Sequence, residues 1–238
     1  MFPIIFKFGF IQVYSYGLMA ALAFWVCAFL LSKQARSLEV KKDFFWNMSG
    51  WLLLGGILGG RLLYIIFNLN YFRENPREIF ALWQGGLIWY GALAGGALSG
   101  IIYLKLKKVN ILKALDLIMP FAALGQAIGR IGCFLNGCCY GSPDLIIPVQ
   151  LISSFNLTAI FITLRLLQEK KHKEGDVLAA YLLLSSFERF MVEFLRDDSS
   201  RNYMGLTIFQ VISALIFLSV VFLWSVISGL KKKTPVQE

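Results

Sequence analysis

Residues 111–141 read I-L-K-A-L-D-L-I-M-P-F-A-A-L-G-Q-A-I-G-R-I-G-C-F-L-N-G-C-C-Y-G, a long apolar run that ends in an arginine set among closely spaced glycines. Over residues 111–128 only Lys113, Asp116 and Gln126 interrupt it, so the run has the length and composition of a membrane-crossing helix. Arg130 then stands at the lip of the apolar layer, where a charge costs about 3 kcal/mol. An ionisable group at that depth marks a functional site; the competing reading is an arginine that snorkels back to water along its aliphatic stem. Gly129, Gly132, Gly137 and Gly141 permit close backbone approach and leave room beside the guanidinium for a bulky anionic ligand.

The rest of the chain has the same character. With 58% hydrophobic residues, 16% charged ones and a mean hydropathy of +0.67 over 238 residues, it reads as an integral membrane protein, one polytopic domain over residues 1–238. The formal net charge of +9 does not point to nucleic acid, because the basic residues lie in short clusters between apolar runs. No cleavable signal peptide is expected, since the first apolar run is followed by a basic connection, residues 32–42, and not by a small-residue cleavage site.

The sequence predicts an all-α fold with seven transmembrane helices, at residues 13–31, 44–67, 79–104, 111–135, 149–167, 177–194 and 207–227, after an apolar lead, residues 1–12, along the interface. The third is the least regular: Gly85, Gly86, Gly91, Gly95, Gly96 and Gly100 allow a re-entrant start or tight helix packing. Lys33, Arg36, Lys41, Lys42, Lys105, Lys107, Lys108, Lys170, Lys171, Lys173, Lys231, Lys232 and Lys233 fall on one side, thirteen residues, against Lys7, Arg73, Arg77, Arg196 and Arg201, five, on the other. The positive-inside rule therefore sends the N terminus out and makes residues 228–238 a basic cytoplasmic tail. Arg61, Arg130 and Arg189 all fall near the outer ends of their segments on this topology.

Several motifs resemble the bacterial phosphatidylglycerol–prolipoprotein diacylglyceryl transferase family along nearly the whole chain. The family's Gly-Arg-Ile-Gly, Phe, Asn-Gly signature stands at Gly129, Arg130, Ile131, Gly132, Phe134, Asn136 and Gly137, here in a form ending Cys138-Cys139-Tyr140-Gly141. Tyr14, Tyr16 and Gly17 resemble its first segment; Gly59, Gly60 and Arg61 with Tyr64, Asn68 and Tyr71 resemble its second. Asp116 and Pro120 match, Arg189, Glu193 and Arg196 resemble the penultimate helix, and Gln210 stands where the last helix carries its glutamine.

The resemblance implies a multi-pass enzyme of the bacterial inner membrane. It would move the diacylglyceryl group of phosphatidylglycerol onto the lipobox cysteine of prolipoprotein signal peptides, releasing glycerol phosphate. Such a site must stabilise negative charge on the leaving phosphate, and arginine suits this because its fork pairs phosphate oxygens and stays charged in a dry site. Arg130 and Arg189 are the expected clamp, with Arg61, Gly129, Gly132 and Asn136 completing the lipid site. Tyr16 and Tyr90 are expected to donate to phosphate or ester oxygens or to pass a proton. Glu193, four residues from Arg189 and three from Arg196, shares their helix face and is expected to orient both; flanked by two cations it would be a poor base. Arg196, Gln210 and Asp116 are supporting residues. Neither a cofactor nor a metal is expected: Cys133, Cys138 and Cys139 lack paired Cys-x-x-Cys knuckles, and Cys27 is a small residue of a spanning helix.

Two departures stand out. Where much of the family has a histidine, this chain has Tyr90, and its single histidine, His172, lies in a lysine-rich loop, so no histidine base is expected. The family's His-Pro-x-Gln-Leu-Tyr-Glu motif is reduced to Ile147-Pro148-Val149-Gln150-Leu151-Ile152-Ser153, which bears on acceptor docking. The rival functions are a paralogue with the same lipid site and a different acceptor, and a lipid or small-anion transporter, against which stands the lack of an internal repeat.

Overall fold

The computed structural model describes residues 4–8, 11–81, 85–141, 145–196 and 205–232. Two short strands, β1 (Ile4–Phe8) and β2 (Ile11–Tyr14), pair antiparallel where an apolar lead was expected, with Ile4 opposite Tyr14. The described remainder is helical: α1 (Ser15–Lys33), α2 (Phe44–Phe67), the short α3 (Leu69–Glu74), α4 (Trp89–Leu106), α5 (Ile111–Asn136), α6 (Val149–Glu169), α7 (Asp176–Val192) and α8 (Ile208–Lys232). Of these, α1, α2, α5, α6 and α8 are long and apolar enough to cross a membrane. The apolar α4 is shorter, and α7 carries Glu188 and Arg189. The burial pattern suits lipid: Leu54, Leu58, Leu62, Phe67 and Phe222 are exposed, while Ser15, Ser153, Gln150 and Gln210 are buried. The chain is thus a polytopic membrane protein.

Six of the seven predicted segments coincide with a helix to within a few residues. The third differs at its start. Residues 76–80 form a 3₁₀ turn, residues 85–88 are irregular, and α4 begins only at Trp89. Gly85 and Gly86 hold φ of 83° and 76°, values that favour glycine and bend the chain into the helix. Of the predicted tail, α8 occupies the part through Lys232 and residues 233–238 lie outside the described residues, as does Arg201.

The chain forms two compact units, one from residues 1–27 with 115–238, the other from residues 28–114. In the second unit α2 and α4 pack backbone to backbone. A methyl group on Gly59 would overlap the Gly91 carbonyl oxygen, and one on Gly95 would overlap that of Gly55, so the glycines in α4 serve helix packing. Tyr103 adds a hydrogen bond to the Phe44 carbonyl, 3.2 Å.

In the first unit the core lies between α5, α6 and α7, where Ala123, Ala127, Leu157, Ile160, Leu164 and Val177 are buried together. Local chemistry sets the helix starts. Asn110 Oδ1 accepts from the amides of Leu112 (3.0 Å) and Lys113 (3.3 Å), capping α5. Asp116 on α5 caps a different helix: its carboxylate accepts from the amides of Gly175 (2.6 Å) and Leu178 (2.8 Å) at the start of α7. Its supporting role is therefore to fix α7 against α5, about 20 Å along the helix from Arg130 at 1.5 Å per residue. Cys27 donates to the Phe121 carbonyl at 3.1 Å and ties α1 to α5.

Candidate active site

The far ends of α5 and α7 meet in a cluster of opposite charges. Glu193 follows α7 in a 3₁₀ turn and is fully buried. Its Oε2 lies 3.0 Å from Arg189 Nη2 and 3.6 Å from Arg196 Nη1, pairing charge with both without an aligned hydrogen bond. Its Oε1 accepts from Thr207 Oγ1 at 3.1 Å. Both carboxylate oxygens are thus committed, as an orienting role requires. Arg189 also lays its guanidinium over the Phe209 ring, 4.7 Å to the centroid. Its Nη1 is buried and has no hydrogen-bond partner among the described residues.

Arg130 lies in electrostatic reach of Arg189, Glu188, Tyr16, Cys133 and Cys139, so the first unit brings the two expected clamp arginines together. Like charges that approach in a dry site repel unless an anion joins them, and a phosphodiester has the charge and the acceptors to do so. Gly129 and Gly132 serve different ends. A Cβ on Gly129 would meet nothing within 4 Å, so space adjoins Arg130 there; a Cβ on Gly132 would lie 2.9 Å from that of Met19, so this glycine admits α1. That approach brings Tyr16, half exposed at the start of α1, beside α5. Asn136 is the last residue of α5 and partly buried.

Gln210 holds the cluster from α8. Its Oε1 accepts from the Thr207 amide (3.0 Å) while its own amide donates to Thr207 Oγ1 (3.3 Å), a reciprocal capping box that starts α8 and aims Thr207 at Glu193. Thr207 was missed in the sequence, although Thr-x-x-Gln before an apolar run is a signal for such a cap. Glu188 Oε1 accepts from Ser153 Oγ on α6 at 2.7 Å, an interhelical contact. Ser153 and Glu188 are both buried, so the α6–α7 contact holds a carboxylate met by a hydroxyl.

The cysteines also converge. At the end of α5 the amides of Gly137 (3.0 Å) and Cys138 (3.1 Å) donate to the Cys133 carbonyl, and Cys139 adopts a φ of 61°, rare for a side chain with a Cβ. This turn folds Cys138 and Cys139 back over Cys133, so that the three sulfurs lie within 4.8 Å of one another. Gln150 Nε2 holds the Cys138 carbonyl at 2.8 Å, and Gly141 bridges to Arg196 as a single antiparallel pair. The Cys139 thiol, outside the helix, is held well below its usual pKa by a hydrogen bond from Cys133, then by Arg196, Cys138 and Arg130.

Arg61 and Tyr90 belong to the second unit. Arg61 is buried and its donors meet carbonyl oxygens: Nε to Ile79 (3.0 Å), Nη1 to Gly85 (2.7 Å) and Gly86 (3.3 Å), Nη2 to Glu78 (2.5 Å) and Ala81 (3.4 Å). Its guanidinium lies 5.6 Å from the Tyr64 ring centroid and 5.4 Å from that of Phe72. A guanidinium so engaged anchors the segment ahead of α4. Tyr90 sits in the first turn of α4 with its side chain half exposed.

Comparison with known proteins places the sequence in a family. The sequence matches the family described as Prolipoprotein diacylglyceryl transferase over residues 3–226. It is 35% identical to the phosphatidylglycerol–prolipoprotein diacylglyceryl transferase of Clostridium tetani over 244 aligned residues, covering 95% of this chain and 98% of the relative. It is 33% identical to the protein of Clostridium perfringens named phosphatidylglycerol–prolipoprotein diacylglyceryl transferase 2, covering 91% of each chain. With the transferase of Clostridioides difficile it shares 34% identity, over 79% of this chain and 81% of the relative.

Proposed function

The chain belongs to the prolipoprotein diacylglyceryl transferase family, and from that premise we propose how its residues carry out the transfer. The enzyme moves the sn-1,2-diacylglyceryl group of phosphatidylglycerol to the lipobox cysteine thiol of a prolipoprotein, forming a thioether and releasing glycerol phosphate. The observation that carries the assignment of roles is the buried Nη1 of Arg189, unpartnered among the described residues and in electrostatic reach of Arg130. A buried guanidinium nitrogen without an acceptor costs on the order of 1–3 kcal/mol, which a phosphate oxygen removes.

In this reading Arg130 and Arg189 bind the phosphodiester and stabilise the charge that builds on the departing oxygen as sulfur attacks the glyceryl carbon. Glu193 fixes Arg189 and Arg196, and Thr207 with Gln210 fixes Glu193. Gly129 provides room for the lipid, Gly132 brings Tyr16 to the site, and Tyr16 donates to a phosphate or ester oxygen. Asn136 adds a further donor. Arg61 acts at one remove, by shaping the segment that leads to Tyr90. The protein crosses the bacterial inner membrane seven times, N terminus out and C terminus in the cytoplasm, so that the arginine site opens to the outer face.

The test is direct. Purified protein, phosphatidylglycerol labelled in its acyl chains and a lipobox peptide should yield a thioether-linked diacylglyceryl peptide; a peptide with serine at the acceptor position should yield none. Label appearing across a vesicle bilayer without any thioether would favour transport instead.

A further inference from the structure

Three thiols beside an alkyl-transfer site call for explanation. The turn that closes α5 places the sulfurs of Cys133, Cys138 and Cys139 within 4.8 Å of one another, with Cys139 held at a φ of 61°. Three thiolates around one zinc ion sit roughly 3.8 Å apart, from a Zn–S length of about 2.3 Å and tetrahedral angles. Rotation about the Cα–Cβ bonds covers that difference. The backbone is braced to hold the geometry, by Gln150 on the Cys138 carbonyl and by the Gly141 to Arg196 bridge. Arg130 and Arg196 lie in electrostatic reach of Cys139 and offset the negative charge of a metal bound by three thiolates.

We propose that Cys133, Cys138 and Cys139 form a zinc site whose fourth position takes the sulfur of the acceptor cysteine. The inference deepens the transferase reading and rests on it. A three-ligand zinc site keeps a position for substrate, and a thiol that coordinates zinc loses its proton outright. The acceptor thiol enters as its thiolate, its proton passing to water. Its sulfur then attacks the glyceryl carbon: the S–C bond forms as the C–O bond to phosphate breaks, and the electron pair leaves on the glycerol phosphate oxygen beside Arg130 and Arg189. The product thioether is neutral, a weaker zinc ligand than thiolate, and departs. This gives the enzyme a way to raise a nucleophile with no histidine base, using soft ligands suited to zinc.

The test uses the full chain in lipid nanodiscs. Loaded with zinc and dialysed, it should retain about one zinc per chain by mass spectrometry, and the Cys138→Ser/Cys139→Ser variant less than about a tenth of that. Loaded with cobalt(II), the parent should show thiolate charge-transfer and tetrahedral d–d absorption. Those bands should shift with a lipobox peptide and stay fixed with its serine counterpart. Parent protein that retains no zinc, or binds copper(I) alone, overturns the site. Zinc retention with cobalt bands indifferent to the cysteine peptide overturns its role on the acceptor. The spectral response does not require turnover, so a shift without thioether product would sustain the thiol site while the transferase reading failed.

Discussion

Arg189 and Glu193 are joined at one end only: Nη2 meets Oε2 at 3.0 Å, while Nη1 of the same guanidinium is buried and unpartnered among the described residues. The carboxylate fixes the fork without filling it. Glu193→Gln keeps the shape and the Thr207 contact but leaves two guanidiniums unneutralised in a dry site. The expected cost is about 3 kcal/mol in stability. Transfer should fall roughly a hundredfold, because a displaced clamp no longer meets the transition state. Thermal unfolding in detergent with peptide turnover checks this; turnover close to the parent's would mean that Glu193 does not orient the clamp.

Arg130→Lys keeps a charge at the end of α5 but loses the forked donor set. It should insert and melt as the parent does while transfer falls by about a hundredfold or more. The informative comparison is between kcat and KM. A loss confined to KM would assign Arg130 to ground-state binding of the lipid, and an unchanged rate would assign it to the helix end alone.

Thr207 and Gln210 allow cap and site to be separated. Gln210→Ala removes the acceptor for the Thr207 amide but leaves the Thr207 hydroxyl to donate to Glu193, so it should cost about 1 kcal/mol and slow transfer only modestly. Thr207→Val removes both the cap and the hydrogen bond to Glu193, so it should cost more and slow transfer as well. Equal turnover in the two variants would separate Glu193 from α8.

Arg61→Lys should act on the second unit. An ammonium cannot reach the five carbonyls of Glu78, Ile79, Ala81, Gly85 and Gly86 that the guanidinium engages, and buried carbonyls left without donors cost roughly 1–3 kcal/mol. The readout is limited proteolysis: cleavage within residues 76–88 should accelerate, while phosphatidylglycerol affinity changes little. A large loss of lipid affinity with unchanged proteolysis would return Arg61 to direct contact with the phosphate.

The helices were legible because lipid imposes helical structure on apolar runs, and the grouping of Arg189, Glu193 and Arg196 because they share a face by spacing alone. Other features were hidden for definite reasons. The start of α4 depends on Gly85 and Gly86 at positive φ and on Arg61, seventeen or more residues upstream of its carbonyl partners. Asp116 was expected as a supporting residue from its match to a motif; its capping of α7 from another helix is a contact no local pattern reports. The three cysteines lacked a familiar spacing; a helix-ending turn, not spacing, brings Cys133 to Cys138 and Cys139.

The Ser153 to Glu188 contact shows how a departure from the family motif is accommodated. Where the motif has a glutamate on α6, this chain has Ser153, whose hydroxyl serves a carboxylate on α7. Both are buried, so a second carboxylate there would lose its hydration without a cation in contact to replace it. Ser153→Glu alone should therefore be destabilising, since two carboxylates would face each other in a dry contact. Glu188→Ser alone should leave Ser153 partnered by another hydroxyl and remove a charge in reach of Arg130 and Arg189. The double variant Ser153→Glu/Glu188→Ser restores one carboxylate from the opposite helix. It should recover stability and transfer beyond the sum of the single changes, with a coupling of about 1–3 kcal/mol in the melting cycle. Purely additive effects would show that the two positions do not share one carboxylate.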